Sequence, residues 1–242
     1  MIQMELKEYL KKTNQDKVCS YFVTRKYVFL DKYLKNAEGR KTALDLGSNL
    51  GLFTELMRRK GYDSCGIEID KEKVKWAKNN WKAKFIHGSA EKIPFKNNAF
   101  DLIIMLDTLE HVIDRNRALS EINRVLKPDG TAIITVPNTW SYFYTRSFLT
   151  FALRGMKPWK NVHYQQNYFF WEHQINQFLK IIDARPTLAV PFFEPKAISR
   201  TRLSKFEFER KGLAWLSAEP IIICKKRGIG VKDNSDNTNL EL

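Results

Sequence analysis

Between residues 42 and 136 short apolar runs alternate with segments of helical period, and this alternation narrows the fold more than any other feature of the chain. ALDLG (43–47), SCGIEI (64–69), KFIHG (84–88), FDLIIML (100–106) and TAIITV (131–136) are five candidate strands. The intervening stretches repeat apolar residues on one helical face, as with Val74, Ala77 and Trp81, or Leu119, Ile122 and Leu126. Gly61 stops the first of these helices and Asp70 is placed to cap the second. FDLIIML is apolar almost throughout, as a strand must be when helices cover both faces of a parallel sheet. The spacing predicts an α/β, Rossmann-like doubly wound, mostly parallel seven-stranded sheet with helices on both faces. Ligands are expected beyond the carboxyl ends of its strands.

The flanks differ from this centre. Residues 1–41 read as an N-terminal helical cap, with Tyr9, Leu10, Phe22, Val28 and Phe29 recurring near helical spacing among lysines. Residues 42–227 form the main domain, completed by a helix near 171–182, a strand near 186–193 and a last strand at 219–226. Within it, 138–170 is an aromatic and basic insertion: residues 140–171 hold 12 of the chain's 31 aromatics. Residues 228–242, rich in Asn, Asp and Gly, are predicted to be a disordered tail.

The 41 basic and 27 acidic residues give +14. Residues 42–137 contribute 15 basic and 13 acidic residues, so the flanks hold most of the excess. Basic flanks suit an anionic partner such as a membrane surface or nucleic acid, and they equally suit plain solubility. Three cysteines at 19, 65 and 224 include no CxxC pair, which argues for a reducing compartment and for burial of Cys65 and Cys224 as small hydrophobes. No run reaches the 18 apolar residues of a membrane span, and the charged start is unlike a signal sequence. The expected location is cytoplasmic, with peripheral membrane contact through the flanks.

LDLGSNLG (44–51) falls at a strand-to-helix turn, where glycines admit a ligand to the backbone and helix amides offer donors. Its GxNxG spacing is not the dinucleotide fingerprint GxGxxG, and no GKS or GKT of a P-loop follows. Glu68 ends the second strand 23 residues after Asp45, where a carboxylate can accept from two vicinal ribose hydroxyls. The ligand is therefore expected to be a nucleoside.

These segments, with HGSAEKIPF (87–95), FDLIIMLDTLEHV (100–112) and LKPDGTAIITVPN (126–138), resemble in order and spacing the motifs of the class I S-adenosylmethionine-dependent methyltransferases. The resemblance is to the methyltransferase type 11 branch, which includes ubiquinone-biosynthesis O-methyltransferases, and it covers about 42–138. It implies S-adenosylmethionine as cofactor. Asp45, Gly47, Asn49 and Gly51 would surround the methionine moiety, Glu68 would hold the ribose and Ile69 would pack on adenine. Ser89 and Ala90 would reach the adenine edge, and Leu106 would turn its carbonyl toward the methionine amine. Asn49 replaces the family's middle glycine, a position Asn can fill because it tolerates positive φ. Ser89 stands where an aspartate is frequent.

A sulfonium methyl is already activated, so the protein's tasks are in-line positioning and, for a protonated nucleophile, a general base. His111 and His163 are the candidate bases, His111 after the fourth strand and His163 in a His-Tyr pair that the branch places over the acceptor. His111 reads first as a helix-start residue packing against the sheet, with the base role as its functional alternative. Asp107, Glu110 and His111 have spacing that could ligate a divalent ion, but no fourth ligand is in view and no metal is assigned.

The insertion at 138–170 lies where such a fold builds its acceptor site. It suits a lid over a small phenol, quinone or sugar, a lipid-like acceptor, or, ranked behind these, RNA. No NPPY-like tetrapeptide and no Pro-Cys nucleophile is present, so methylation of an oxygen is expected. A noncatalytic cofactor-binding subunit is the contrasting reading.

Overall fold

A computed structural model describes residues 6, 9–12, 17–139, 141, 166–186 and 214–228. Its centre is a seven-stranded sheet in the order β3-β2-β1-β4-β5-β7-β6. The strands are β1 (Thr42–Leu46), β2 (Asp63–Glu68), β3 (Lys84–His87), β4 (Phe100–Leu106), β5 (Leu126–Thr135), β6 (Leu179–Arg185) and β7 (Ile221–Lys226). All pairings from β3 through β5 are parallel, and β7 inserts antiparallel between β5 and β6. The doubly wound, mostly parallel sheet expected from the alternation is what the chain forms.

Among the described residues the helices that cover it are α1 (Lys17–Tyr33), α2 (Leu52–Arg59), α3 (Lys71–Asn80), α4 (Arg115–Val125) and α5 (Tyr168–Phe178). The period-2 geometry of β4 divides its apolar residues between two cores. Ile103 and Met105 pack with Leu119 and Ile122 of α4 and with Trp171 and Ile175 of α5. Leu102 and Ile104 pack on the other face with Tyr27 and Leu30 of α1 and Leu56 of α2. The N-terminal helix is thus a layer of the sheet domain, tied to it by burial of Tyr27, Phe29, Leu30 and Leu34. Residues 6 and 9–12 are helical as well.

Asp70 caps α3 as expected, its carboxylate accepting from the amides of Glu72 at 2.9 Å and Lys73 at 3.3 Å. Cys65 and Cys224 are buried, and burial pushes their thiols up to about 11 and about 12, so both are inert hydrophobes.

Two boundaries differ from the sequence expectation. The helix expected over 171–182 ends at Phe178, because Leu179–Arg185 is strand β6, paired antiparallel with β7. The strand expected over 186–193 therefore lies earlier, and residues 187–193 fall outside the described residues. Strand β5 starts at Leu126 rather than Thr131, with a register irregularity opposite Phe100 and Leu102 that absorbs the KPDG segment. Most of the 138–170 insertion, the tail beyond 228 and His163 also lie outside the described residues. Among the described residues no helix is long and apolar enough to cross a membrane.

Candidate active site

Strand order reverses between β1 and β4, and a cavity of about 520 Å³ opens there at the carboxyl ends of β1, β2 and β4. The turn from β1 into α2 forms one wall. Gly47 has φ 75°, and a Cβ there would lie 2.3 Å from the Thr108 hydroxyl oxygen, so only glycine lets the two loops meet. Asn49 adopts φ 50°, the left-handed conformation its short polar side chain permits. Gly51 does not line the cavity. It begins α2 with φ 84°, and a Cβ there would lie 2.5 Å from the Phe85 ring.

Glu68 is buried at the end of β2. Its Oε2 accepts from the Asn49 amide at 2.8 Å and its Oε1 from the Asp70 amide at 3.0 Å. A carboxylate has about four lone-pair sites, so two backbone donors fix this one and leave acceptor capacity for a vicinal diol. Asp45, also buried, accepts from the Thr54 hydroxyl at 2.7 Å. Burial, with the nearby charge of Glu68 adding to it, pushes Asp45 up to about 7 against the pull of Thr54.

Ile69 is 71% exposed at the rim, an apolar surface beside the diol site. Ser89 and Ala90 line the same side, with the Ser89 hydroxyl accepting from the Glu91 amide at 3.1 Å. The Leu106 carbonyl accepts from the Thr108 hydroxyl at 2.9 Å and keeps a second lone pair. Of the nine residues expected to bind the cofactor, the cavity thus brings together all but Gly51. His111 also lines it, with its side chain 71% exposed.

The Asp107, Glu110 and His111 side chains do not converge on a common point. Asp107 has φ 47°, receives the Thr135 hydroxyl at 2.7 Å and is ion-paired with Lys26 of α1. Glu110 is buried, its Oε2 without a hydrogen-bond partner, and burial with the neighbouring Asp107 charge pushes it up to about 8. Its other oxygen lies 3.9 Å from His111. Among the described residues no group of three His, Cys, Asp or Glu side chains is disposed to hold a metal ion.

Sequence reasoning missed the contribution of the N-terminal segment. Tyr9 and Lys26 both line the cavity. Burial foremost, with the Asp45 charge next, pushes the Tyr9 phenol up to about 12, so it acts as a neutral group. Lys26 is 2% exposed and bridges Asp107 and Glu219. Burial works to lower its pKa, but those two charges outweigh it and hold the ammonium above its ordinary range. Nothing in VTRKYVFL marks this lysine as buried, since a lysine within an apolar helix ordinarily snorkels to solvent.

The arrangement fits a cationic nucleoside. Its donors and acceptors offer a carboxylate for the ribose, an apolar rim for a base, and acidic groups where a sulfonium and an ammonium would lie. The buried Ser48 hydroxyl lines the cavity without a hydrogen-bond partner, a polar atom left for a ligand to satisfy.

Comparison with known proteins agrees with this geometry. The sequence profile of the family described as "Methyltransferase domain" matches residues 44–134. The chain is 32% identical over 103 residues to the ubiquinone biosynthesis O-methyltransferase of Bartonella tribocorum, covering 40% of this chain and 42% of that protein. It is 26% identical over 188 residues to the malonyl-[acyl-carrier protein] O-methyltransferase of Buchnera aphidicola, covering 77% and 71%. Against three curated relatives of 32–36% identity the chain spans only 37–52% of their length. A solved S-adenosylmethionine-dependent methyltransferase from Thermotoga maritima, described as a possible histamine N-methyltransferase, superposes with a TM-score of 0.62 over 94% of this chain and all of that one, at 19% identity. That likeness shows a shared fold. The cavity, the order of its motifs and the matched profile agree: residues 44–134 are a methyltransferase-domain segment set in the class I S-adenosylmethionine-dependent methyltransferase fold, and S-adenosylmethionine is the cofactor of that fold.

Proposed function

We propose that the protein transfers a methyl group from S-adenosylmethionine to an oxygen of a small aromatic, sugar or lipid-like acceptor. The single observation that carries the transfer reading is the disposition of Asp45, Glu68 and the Leu106 carbonyl around one cavity, three acceptors placed for the cationic and hydroxyl groups of one cofactor. Oxygen as the target is supported by the names of two relatives, both O-methyltransferases, and by the absence of NPPY-like and Pro-Cys motifs.

Bound cofactor supplies the activated methyl, and this chain's residues supply its placement. Glu68, fixed by two amides, orients the ribose without paying for its own ordering. Thr108 pins the Leu106 carbonyl, and Lys26 with Thr135 pins Asp107 beside it, so the corner after β4 is rigid where the methyl would be presented. His111, at the open side of the cavity, is the described group that can take the acceptor's proton, and its exposure keeps it free to exchange that proton with water. His163 is retained as a second candidate base. An anionic membrane surface as the place where a lipid-like acceptor is met rests on the basic flanks.

Incubation with methyl-labelled cofactor and separate small-molecule, lipid and RNA extracts tests this reading, followed by analysis of the labelled bond. Label in an O-methyl product of the small-molecule or lipid pool is expected. Label at nitrogen or carbon, or in RNA, overturns the acceptor assignment. Cofactor binding without turnover on any pool points to a noncatalytic subunit.

A further inference from the structure

The near-neutral charge of residues 42–137 conceals a strongly polarised helix. Six of that segment's 15 basic residues fall between 71 and 84, against Glu72 alone as an acid. Helix α3 turns Val74 and Ala77 inward. Lys71, Lys75 and Lys78, at i, i+4 and i+7, form an exposed stripe about 10 Å long. No carboxylate among the described residues pairs with these three lysines, and the Asp70 carboxylate is occupied in capping the helix. Lys84, further on, is paired with Asp63 at 2.8 Å.

Beside the stripe runs a groove of about 400 Å³, walled by Lys73, Lys75 and Trp76 of α3 and by Lys12 of the N-terminal segment. Lys73 also lines the cofactor cavity, so groove and cavity share a wall. Glu72 is the one acid lining the groove among the described residues.

We propose that this face docks single-stranded RNA, with Lys71, Lys75 and Lys78 along the phosphates and the groove beside Trp76 receiving a base. Three unpaired ammonium groups in a row match a chain of phosphates better than one isolated anion. A concave wall carrying an aromatic ring suits an unstacked base. A membrane surface is the poorer match, because docking on a bilayer sets apolar side chains into the interface, and none of the exposed large apolar side chains among the described residues lies on α3. The proposal concerns a docking surface and stands apart from which oxygen is methylated.

Fluorescence anisotropy of a labelled 12-nucleotide oligouridine with the full chain tests it without any turnover. The variant Lys71→Gln/Lys75→Gln/Lys78→Gln is compared with Lys41→Gln/Lys92→Gln/Lys96→Gln, which removes the same charge elsewhere on the surface. The α3 variant is expected to bind about tenfold or more weaker at low salt, with a log–log salt slope shallower by about 2. The control variant is expected to stay within about twofold of wild type. A matching Lys→Arg triple variant should restore affinity, and unchanged melting and S-adenosylhomocysteine binding confirm that each protein is folded. Absence of RNA binding, equal losses in both Gln variants, or α3-dependent binding to anionic vesicles but not to oligouridine overturns the proposal.

Discussion

The ammonium of Lys26 lies 2.7 Å from Oε2 of Glu219, joining a helix near the start of the chain to the residue pair that leads into β7. The same ammonium holds Asp107 at the mouth of the cofactor cavity, so one buried cation ties together α1, the end of β4 and the approach to β7. Removing one partner of a buried ion pair strands the other charges, which costs more than the pair contributes to stability. Lys26→Met is therefore expected to destabilise the fold by about 3–5 kcal/mol, and adding Glu219→Gln should recover part of that loss. Denaturant titration of the single and double variants checks it. A change within about 0.5 kcal/mol for the single variant would mean the cluster is solvated in solution.

Asp45, Glu110 and Glu219 share a direction of shift. Burial is the first cause for each, and it raises them to about 7, 8 and 7. Between their unfolded values and these folded ones, the folded state holds the extra protons. Their contribution is thus complete below about pH 4 and is lost as pH rises through 7 to 8. Asp101 and Glu121 shift downward. At Asp101 burial is the largest single influence, but the Lys127 ammonium and the two Thr42 hydrogen bonds together outweigh it, while at Glu121 the Arg124 hydrogen bond leads, so their stabilisation disappears in acid. Cofactor-free protein should melt highest near pH 4–5, where Asp101 and Glu121 are ionised while the raised groups still keep their protons in the fold, and progressively lower up to pH 8. Melting curves across that range test the sign, and a rise in melting temperature from pH 6 to 8 would refute it.

The same Asp45 value links cofactor affinity to pH. A carboxyl facing an ammonium must be ionised, so S-adenosylhomocysteine should bind more weakly as pH falls below 7, by up to about tenfold per unit. Calorimetric titration of wild type and Asp45→Asn from pH 5.5 to 8.5 isolates this term. The variant should bind weakly and with a flatter profile. Identical slopes for the two proteins would show that another group carries the linkage.

Glu68→Ala removes the proposed diol acceptor together with the brace on the Asn49 and Asp70 amides. Hydrogen bonds to a charged group are worth about 1.5–3 kcal/mol each, so affinity for S-adenosylhomocysteine should fall roughly ten- to hundredfold. A cofactor analogue lacking the ribose hydroxyls should bind wild type and variant more nearly alike. If the variant keeps full affinity for S-adenosylhomocysteine, the ribose does not lie at Glu68.

Local pattern carries the strands and the turn, because those follow from period and from glycine placement. FDLIIML is apolar since both its faces are covered, and LDLGSNLG announces its own bend. Lys26 was not legible for the opposite reason. Its environment is made by Asp107 and Glu219, 81 and 193 residues away, and no local signal separates a buried lysine from a surface one. The α3 lysines were hidden by averaging, since a charge sum over 42–137 erases a polarity confined to one helix face. The β6 boundary was missed because LKIIDAR takes its strand from pairing with β7, a contact made 36 to 47 residues further on.

Gly47 and Gly51 occupy one motif but answer to different parts of the molecule. Both have positive φ, which costs an L side chain about 1–2 kcal/mol. At Gly51 the added Cβ would also meet the Phe85 ring at 2.5 Å and the Trp81 ring at 2.9 Å, inside the small core that α3 and β3 share. Overpacking of that kind costs a further 1–3 kcal/mol or so. Gly51→Ala should therefore lower stability by about 2–5 kcal/mol while the folded fraction binds S-adenosylhomocysteine nearly as wild type does. At Gly47 the Cβ meets Thr108, whose hydroxyl pins the Leu106 carbonyl, so Gly47→Ala should cost affinity as well as stability. Pairing Gly47→Ala with Thr108→Ala removes the two closest contacts, at 2.3 and 2.5 Å, leaves the Thr108 Cβ at 2.9 Å and frees the carbonyl, so it should recover part of the stability without recovering affinity. Melting and calorimetry on the three proteins separate the two effects, and equal affinity losses for Gly47→Ala and Gly51→Ala would show that the turn acts as one rigid unit.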